Sequence, residues 1–298
     1  MINKPEVKLI EIKQKMPGFG SFFGSWVCKG DVNILIDTGP ANSACNLLDA
    51  LVGLGLERID YVCLTHVHID HCGGLAQIID HYPMAKVICH HQGLKHLLDP
   101  SDLWKGSLDV LGEIAINYGE PKPVSAGVLL SHTENPVNEL HIVETPGHAI
   151  HHLSFSYKGN MFAGEAGGNF FVIKNIEYLR PATPPRFFFD VFLNSVDRLL
   201  ALDDQPICYV HCGRAESSHV LLKRFRNQMI LWKDIIRRQL LEPEADIIER
   251  CLDVLFKEDP NLKAFDMMDS DTKVRERFFL KNSVKGFVGF LKKSPQNN

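Results

Sequence analysis

The stretch IDYVCLTHVHIDHCGG, residues 59–74, decides how this chain is read. Its first half, Ile59 to His66, is apolar and β-branched enough for a strand buried on both faces. The second half, His66-Val67-His68-Ile69-Asp70-His71, sets four side chains able to hold a metal within six residues. Side chains alternate along an extended backbone, so His66 and His68 point the same way, and the loop that follows brings Asp70 and His71 to the strand's end. Neutral imidazole and carboxylate suit borderline cations such as zinc or iron. One or two ions at the end of a buried strand are therefore expected. Cys63 and Cys72 flank the run, but no softer ligand is needed to complete it.

Outward from this stretch, residues 1–216 alternate short strands with helices. A hairpin of SFFGSWVC and VNILIDTG turns at Lys29-Gly30-Asp31. Leu47, Leu48, Leu51 and Leu54 have helical spacing, with Gly55 as a stop. A helix in GGLAQIIDHY and strands in AKVICHH, LHIVETPG, LSFSYKG and NMFAGEA follow, then a helix from about Asp190 to Leu202 and the strand PICYVHCG. From Ser217 the pattern turns helical: Val220, Leu221, Phe225, Met229 and Trp232 share a face, as do Ile247, Ile248, Cys251 and Leu255, and a last amphipathic helix holds Val284, Phe287, Val288 and Leu291. These stripes read as packing surface. The tail SPQNN is expected to fray. The charge divides at the same place: 16 basic and 24 acidic residues up to Glu216, 16 and 12 beyond it. Two parts result, a metal-binding domain over 1–216 and a helical extension over 217–298 packed on it.

The bulk properties exclude several classes. At 298 residues, with 45% hydrophobic and 23% charged residues, the chain is an ordinary globular mixture, neither disordered nor a coiled coil. No apolar run approaches the 18 or so residues of a bilayer span, and the first residues lack a signal peptide's apolar core. No membrane partner and a cytoplasmic location are expected. The eight cysteines contain no CxxC pair, which removes the usual support for zinc ribbons and thioredoxin-like chemistry, and they read as buried reduced thiols. A net +4 over the extension, with no aromatic-interleaved basic stripe, makes nucleic acid a weak partner.

The HVHIDH run, followed in order by Thr145-Pro146-Gly147-His148, Phe162-Ala163-Gly164-Glu165-Ala166 and Val210-His211-Cys212-Gly213, resembles the metallo-β-lactamase superfamily over roughly residues 7–216. The phrases TPGHAIHHLSF, HLLDPSDLW and LRPATPPRF look like its hydrolase-like branch, related to glyoxalase II, although the glutathione-binding signature of glyoxalase II itself is missing. The resemblance implies a four-layer αββα sandwich of the α/β (α+β) class. It implies two divalent metal ions, most simply Zn2+, with Fe or Mn admitted by the same ligands. His66, His68 and His148 would hold one ion, and Asp70, His71 and His211 the other. A carboxylate from a Gly-Asp element bridges the pair in that family; here Glu165 stands in its place. One extra methylene leaves three outcomes: bridging through an adjusted backbone, binding one ion, or standing off the site. Asp37, before Thr38-Gly39, matches an early structural Asp near the floor of the site, though alone it would read as a turn former.

The implied reaction is hydrolysis by a bridging hydroxide, with Asp70 as the catalytic residue that orients the water or takes its proton. The implied substrate is a small ester, thioester or lactone. Redox chemistry at a mononuclear or dinuclear iron centre is the rival, with no flavodoxin-like segment here to support its flavin-linked form; a non-catalytic scaffold is the weaker third, and a homo-oligomer is compatible with all. Elsewhere, His151 and His152 read either as partners of the ligands or as local caps. His90, His91 and His96 read as solvated or helix-packing, and His81, His132, His141 and His219 as isolated. Arg180 and Arg186, in the proline-rich segment from Tyr178 to Phe189, could hold an anionic substrate or belong to a structural connector.

Overall fold

A computed structural model describes residues 6–293 apart from Arg186, Cys212 and Glu244. The expectations for Arg186 and for the tail SPQNN thus lie outside the described residues. Strands β1 (Glu6–Ile12), β2 (Phe23–Lys29) and β3 (Ile34–Ile36) open the chain as an antiparallel meander. Helix α1 (Ala44–Gly53) leads to β4 (Tyr61–Cys63), and a single turn α2 (Ile69–Cys72) with α3 (Leu75–His81) leads to β5 (Lys86–Cys89). Three short helices follow, α4 (Leu94–Leu98), α5 (Ser101–Leu111) and α6 (Glu113–Tyr118), and then β6 (Leu129–Ser131). β3, β4, β5 and β6 run parallel, completing a sheet of order β1-β2-β3-β4-β5-β6.

The second sheet comes from β7 (Leu140–Glu144), β8 (Leu153–Tyr157) and β9 (Asn160–Phe162), joined after a separate hairpin of β10 (Asn169–Ile173) with β11 (Ile176–Arg180), and after helix α7 (Phe189–Leu200), by β12 (Ile207–Tyr209) and β13 (Gly213–Ala215). Its order is β13-β12-β9-β8-β7. Helices α8 (Ser218–Gln239), α9 (Ile247–Glu258) and α10 (Ser270–Lys293) close the described chain.

Strand periodicity explains the layers. Trp26, Cys28, Ile34, Ile36, Cys63 and Ile88 of the first sheet form one buried cluster with Leu153, Phe155, Phe162 and Cys208 of the second. Their odd-numbered or even-numbered neighbours Val27, Leu35, Val62, Val87, Met161 and Ile207 belong to another cluster, with Leu47 and Leu51 of α1, Ile78 of α3, Phe192 and Val196 of α7 and Phe225 of α8. Each strand thus turns one side chain to the facing sheet and the next to a helix, which is why these strands read as continuous apolar runs. The architecture is αββα with a helical region after it.

The hairpin of β10 and β11 is not evident in the sequence. Its turn uses Lys174 and Asn175, both with positive φ (47° and 68°), the geometry a two-residue hairpin requires, but without the glycine that usually marks it. The Tyr178–Phe189 segment is accordingly strand up to Arg180 and irregular from Pro181. Helices α8 to α10 pack over this hairpin and α7, burying Phe225, Trp232 and Phe287.

Candidate metal centre and its pocket

The carboxyl ends of the parallel strands each deliver a polar side chain: Asp37 after β3, His66 after β4, His90 after β5 and His132 after β6. β4 stops at Cys63, so His66 and His68 sit on an irregular segment beyond the strand and not on it as expected. His68 is extended (φ −72°, ψ 151°) and caps α2, whose helical turn carries Asp70 and His71. An extended residue pair followed at once by a helical turn folds four side chains onto one point.

His148 and Glu165 reach that point through close backbone packing. A Cβ on Gly147 would lie 2.5 Å from the Phe192 ring, and one on Gly164 would lie 2.5 Å from His152 Nε2, so neither loop can carry a larger residue at these positions. Gly164 also has φ +54°, a conformation that favours glycine. The backbone N–H of Glu165 donates to His152 Nε2 (3.1 Å), and His152 Nδ1 bonds to Thr145 Oγ1 (2.8 Å). His152 therefore fixes the Glu165 loop.

Two groups of donors converge. One atom each from His66, His68, His148 and Glu165 lie within 4.8 Å of one another, as do atoms of Asp70, His71 and His211. Glu165 lies between the groups. Its Oε2 is 2.7 Å from His148 Nε2, 3.5 Å from His66 Nε2 and 3.6 Å from His71 Nε2, while its Oε1 is 3.3 Å from His211 Nε2. Asp70 Oδ2 is 3.7 Å from His71 Nε2.

The outer nitrogens of these rings are fixed by the protein. His71 Nδ1 bonds Asp37 Oδ2 (2.8 Å), His148 Nδ1 donates to the Ala182 carbonyl (2.6 Å), and His211 Nδ1 to the Phe22 carbonyl (3.3 Å). A proton on each Nδ1 leaves the inward Nε2 with a lone pair, the usual arrangement behind metal-binding imidazoles. His71 Nε2 is fully buried and has no hydrogen-bond partner among the described residues. Asp37 is itself buried at φ +56° and accepts from both Thr65 N–H and Thr65 Oγ1 at 2.7 Å. It is a rigid floor for the site and not a mere turn former.

The electrostatics call for a cation. Burial, reinforced by the surrounding imidazoles, holds His66 and His68 well below the usual histidine range. Burial also disfavours a charged His71, but the Asp70 and Asp37 carboxylates override it and raise the ring to about 9, a demand for positive charge that a bound cation would meet in place of the Nε2 proton. For Glu165 burial pushes the carboxyl up, yet His148 and His211 keep it well below its ordinary value. Several buried imidazoles around ionised carboxylates, with one orphaned nitrogen aimed inward, fit divalent cations among these donors.

The centre opens into a pocket walled by α5, α10, Tyr118 and the segment 182–185. The proline-rich segment and the C-terminal helices are expected beside the site from the sequence, and α5 begins in the phrase HLLDPSDLW; Tyr118 and the rest of α5 carry no motif. Sequence reading did not find that His90, His91 and His132 form a cluster, their donor atoms within 4.8 Å, beside Glu144. This cluster is satisfied internally. Gln92 N–H donates to His90 Nδ1 (3.1 Å) and His91 N–H to His132 Nδ1 (3.3 Å), so the proton of each neutral ring sits on Nε2, from which His132 donates to Glu144 Oε1 (2.9 Å). Arg180 is buried, lines the pocket and pairs with Glu276 of α10, which it shares with Arg275; its guanidinium lies 5.1 Å from the Phe279 ring centre.

Comparison with known proteins gives the same picture. Among the similar proteins, the metallo-beta-lactamase fold-containing protein ST1585 of Sulfurisphaera tokodaii is 28% identical over 218 residues, 70% of this chain and 78% of that one. The crystal structure of ST1585, described as an archaeal metallo-beta-lactamase superfamily protein, superposes with a TM-score of 0.68 at 20% identity, covering 95% of this chain and 98% of the other. A hydroxyacylglutathione hydrolase of Aeromonas salmonicida is 26% identical over 59% of this chain and 55% of its own length. The flavo-diiron protein FprA2 of Clostridium acetobutylicum is 30% identical over 36% of this chain and 26% of its own. The family model of the metallo-beta-lactamase superfamily matches residues 24–211, from β2 through His211. By that match, and by the fold and donor groups it encloses, this chain belongs to the metallo-β-lactamase superfamily.

Proposed function

We propose that the chain is a dinuclear metallohydrolase acting on a small ester, thioester or lactone. The observation that carries this is Glu165, whose carboxylate lies near both donor groups, Oε2 close to His66, His148 and His71 and Oε1 close to His211. In this reading His66, His68 and His148 would hold one ion and Asp70, His71 and His211 the other, with Glu165 within reach of both donor groups. When bound, two divalent cations, most simply Zn2+, polarise a substrate oxygen and make a water acidic near neutral pH. The protein's residues do the rest. Asp37, Ala182 and Phe22 hold the rings of His71, His148 and His211 in one tautomer, and His152 holds the Glu165 loop. Asp70 lines the pocket beside His71, where its carboxylate orients the attacking water and accepts a proton. The similarity to hydroxyacylglutathione hydrolase supports acyl hydrolysis as the class.

The partial match to FprA2 favours a second reading, redox chemistry at iron. Elemental analysis separates the two: two zinc ions per chain support hydrolysis, and a single iron supports oxidation. Zinc-loaded protein is expected to turn over members of a panel of thioesters, lactones, phosphodiesters and persulfides. His68→Ala should lose metal and activity together, and Glu165→Gln should fall toward one metal per chain. Full metal content in His68→Ala, or wild-type stoichiometry and turnover in Glu165→Gln, would overturn the ligand assignment.

A further inference from the structure

The pocket, with the donor groups at one part of its lining, is a cavity of about 360 Å³, a size that encloses a small organic molecule. Leu103, Val110 and Leu111 of α5 line one side, with Phe22 and Phe279 across from them. None of the eleven residues of α5 is buried; Leu103 and Leu111 rest partly on the core as well as lining the cavity, and Val110 is half-exposed beside it. We propose that the cavity takes the apolar arm of an uncharged acyl substrate, so that neutral acyl esters or thioesters are preferred over those whose acyl arm ends in a carboxylate or phosphate. The inference rests on the hydrolase reading and narrows it.

Two observations support an uncharged arm. Among the described lining residues Arg180 is the only lysine or arginine, and it is already held by Glu276, a carboxylate that it shares with Arg275. Asp102, at the start of α5, lines the same cavity and would repel an anion there. Tyr118 lines it too, fully buried, its hydroxyl without a partner among the described residues. A substrate oxygen, neutral or charged, would accept that hydrogen bond, so Tyr118 anchors the arm without choosing its charge. The reaction is simple hydrolysis. Water oxygen bonds to the acyl carbon, the acyl–oxygen or acyl–sulfur bond breaks, and one water proton passes to the leaving group.

The test compares two esters of equal length, p-nitrophenyl hexanoate and mono-p-nitrophenyl adipate, on the zinc-loaded full chain. Hexanoate is expected to have a kcat/KM about tenfold or more above that of adipate, since a carboxylate placed against an apolar wall loses its water without gaining a partner. Val110 is 51% exposed, so Val110→Lys should fold normally while placing a cation in the arm cavity; it should narrow the ratio severalfold. Equal or reversed preference, or a ratio unmoved by Val110→Lys, would overturn the inference. If neither ester is hydrolysed, the hydrolase reading fails on that result alone, and binding decides the inference. Ligand-observed NMR of the metal-free chain should then show hexanamide bound more tightly than the monoamide of adipic acid. No preference, or no binding of either, would overturn it.

Discussion

Replacing Asp37 by Asn changes one atom of a residue that touches no metal donor except His71, yet it should empty half of the centre. Asp37 accepts three hydrogen bonds: Thr65 N–H and Thr65 Oγ1 at 2.7 Å each, and His71 Nδ1 at 2.8 Å. An amide has one oxygen and one NH2. The Thr65 backbone can only donate, so the amide oxygen must stay on that side and the NH2 must face His71 Nδ1. A donor there forces a lone pair onto Nδ1 and the ring proton onto Nε2. Nε2 is the atom that faces Asp70 and Glu165. A cation at the second group would have to displace that proton, and losses of this kind weaken metal affinity by about 10- to 100-fold, or about 1.4–2.8 kcal/mol. Competition titration with a zinc chelator should therefore show one site near wild-type affinity and one weakened by that factor. Losing the charged acceptor should also cost the fold about 1–3 kcal/mol, read by denaturation. Two sites of unchanged affinity would refute the tautomer argument, and equal weakening of both would refute its assignment to the second group.

Glu276→Leu leaves Arg180 and Arg275 buried without their carboxylate, and should cost about 3–5 kcal/mol in denaturant unfolding; Arg180→Met added to it should recover part of that loss, and a single variant as stable as wild type would dismiss the pair as a strut. Burial, with His132 and His91, lowers His90 to about 4, so between 6.5 and 4 the unfolded chain binds more protons than the folded one and stability falls as the pH drops through that window. His90→Asn should lose this sensitivity, its stability deficit against wild type narrowing from pH 7 to 4.5; a constant deficit would contradict the assignment. Ending the chain after Gly213 removes the partners of α7 and of the β10–β11 hairpin, and insoluble or inactive protein is expected. A soluble, fully active product would make the helices an independent module.

Local physics made the first half of the site readable. Strand alternation, helix spacing and the turn after β4 all act within a few residues, so His66, His68, Asp70 and His71 could be grouped from their order alone. The layers followed for the same reason, because strands buried on both faces leave continuous apolar runs. His148, Glu165 and His211 were found by resemblance of motifs, since nothing local ties residues some 80 to 145 positions away to the same point. Tertiary structure alone decided what each group meets. It placed the Glu165 oxygens between two donor groups, paired Arg180 with a carboxylate 96 residues further on, and stacked His132 on the distant pair His90 and His91. It also set α5 against α10 to wall the pocket. Charge pairing and cavity shape depend on which surfaces meet across the fold, and residue spacing carries no record of that.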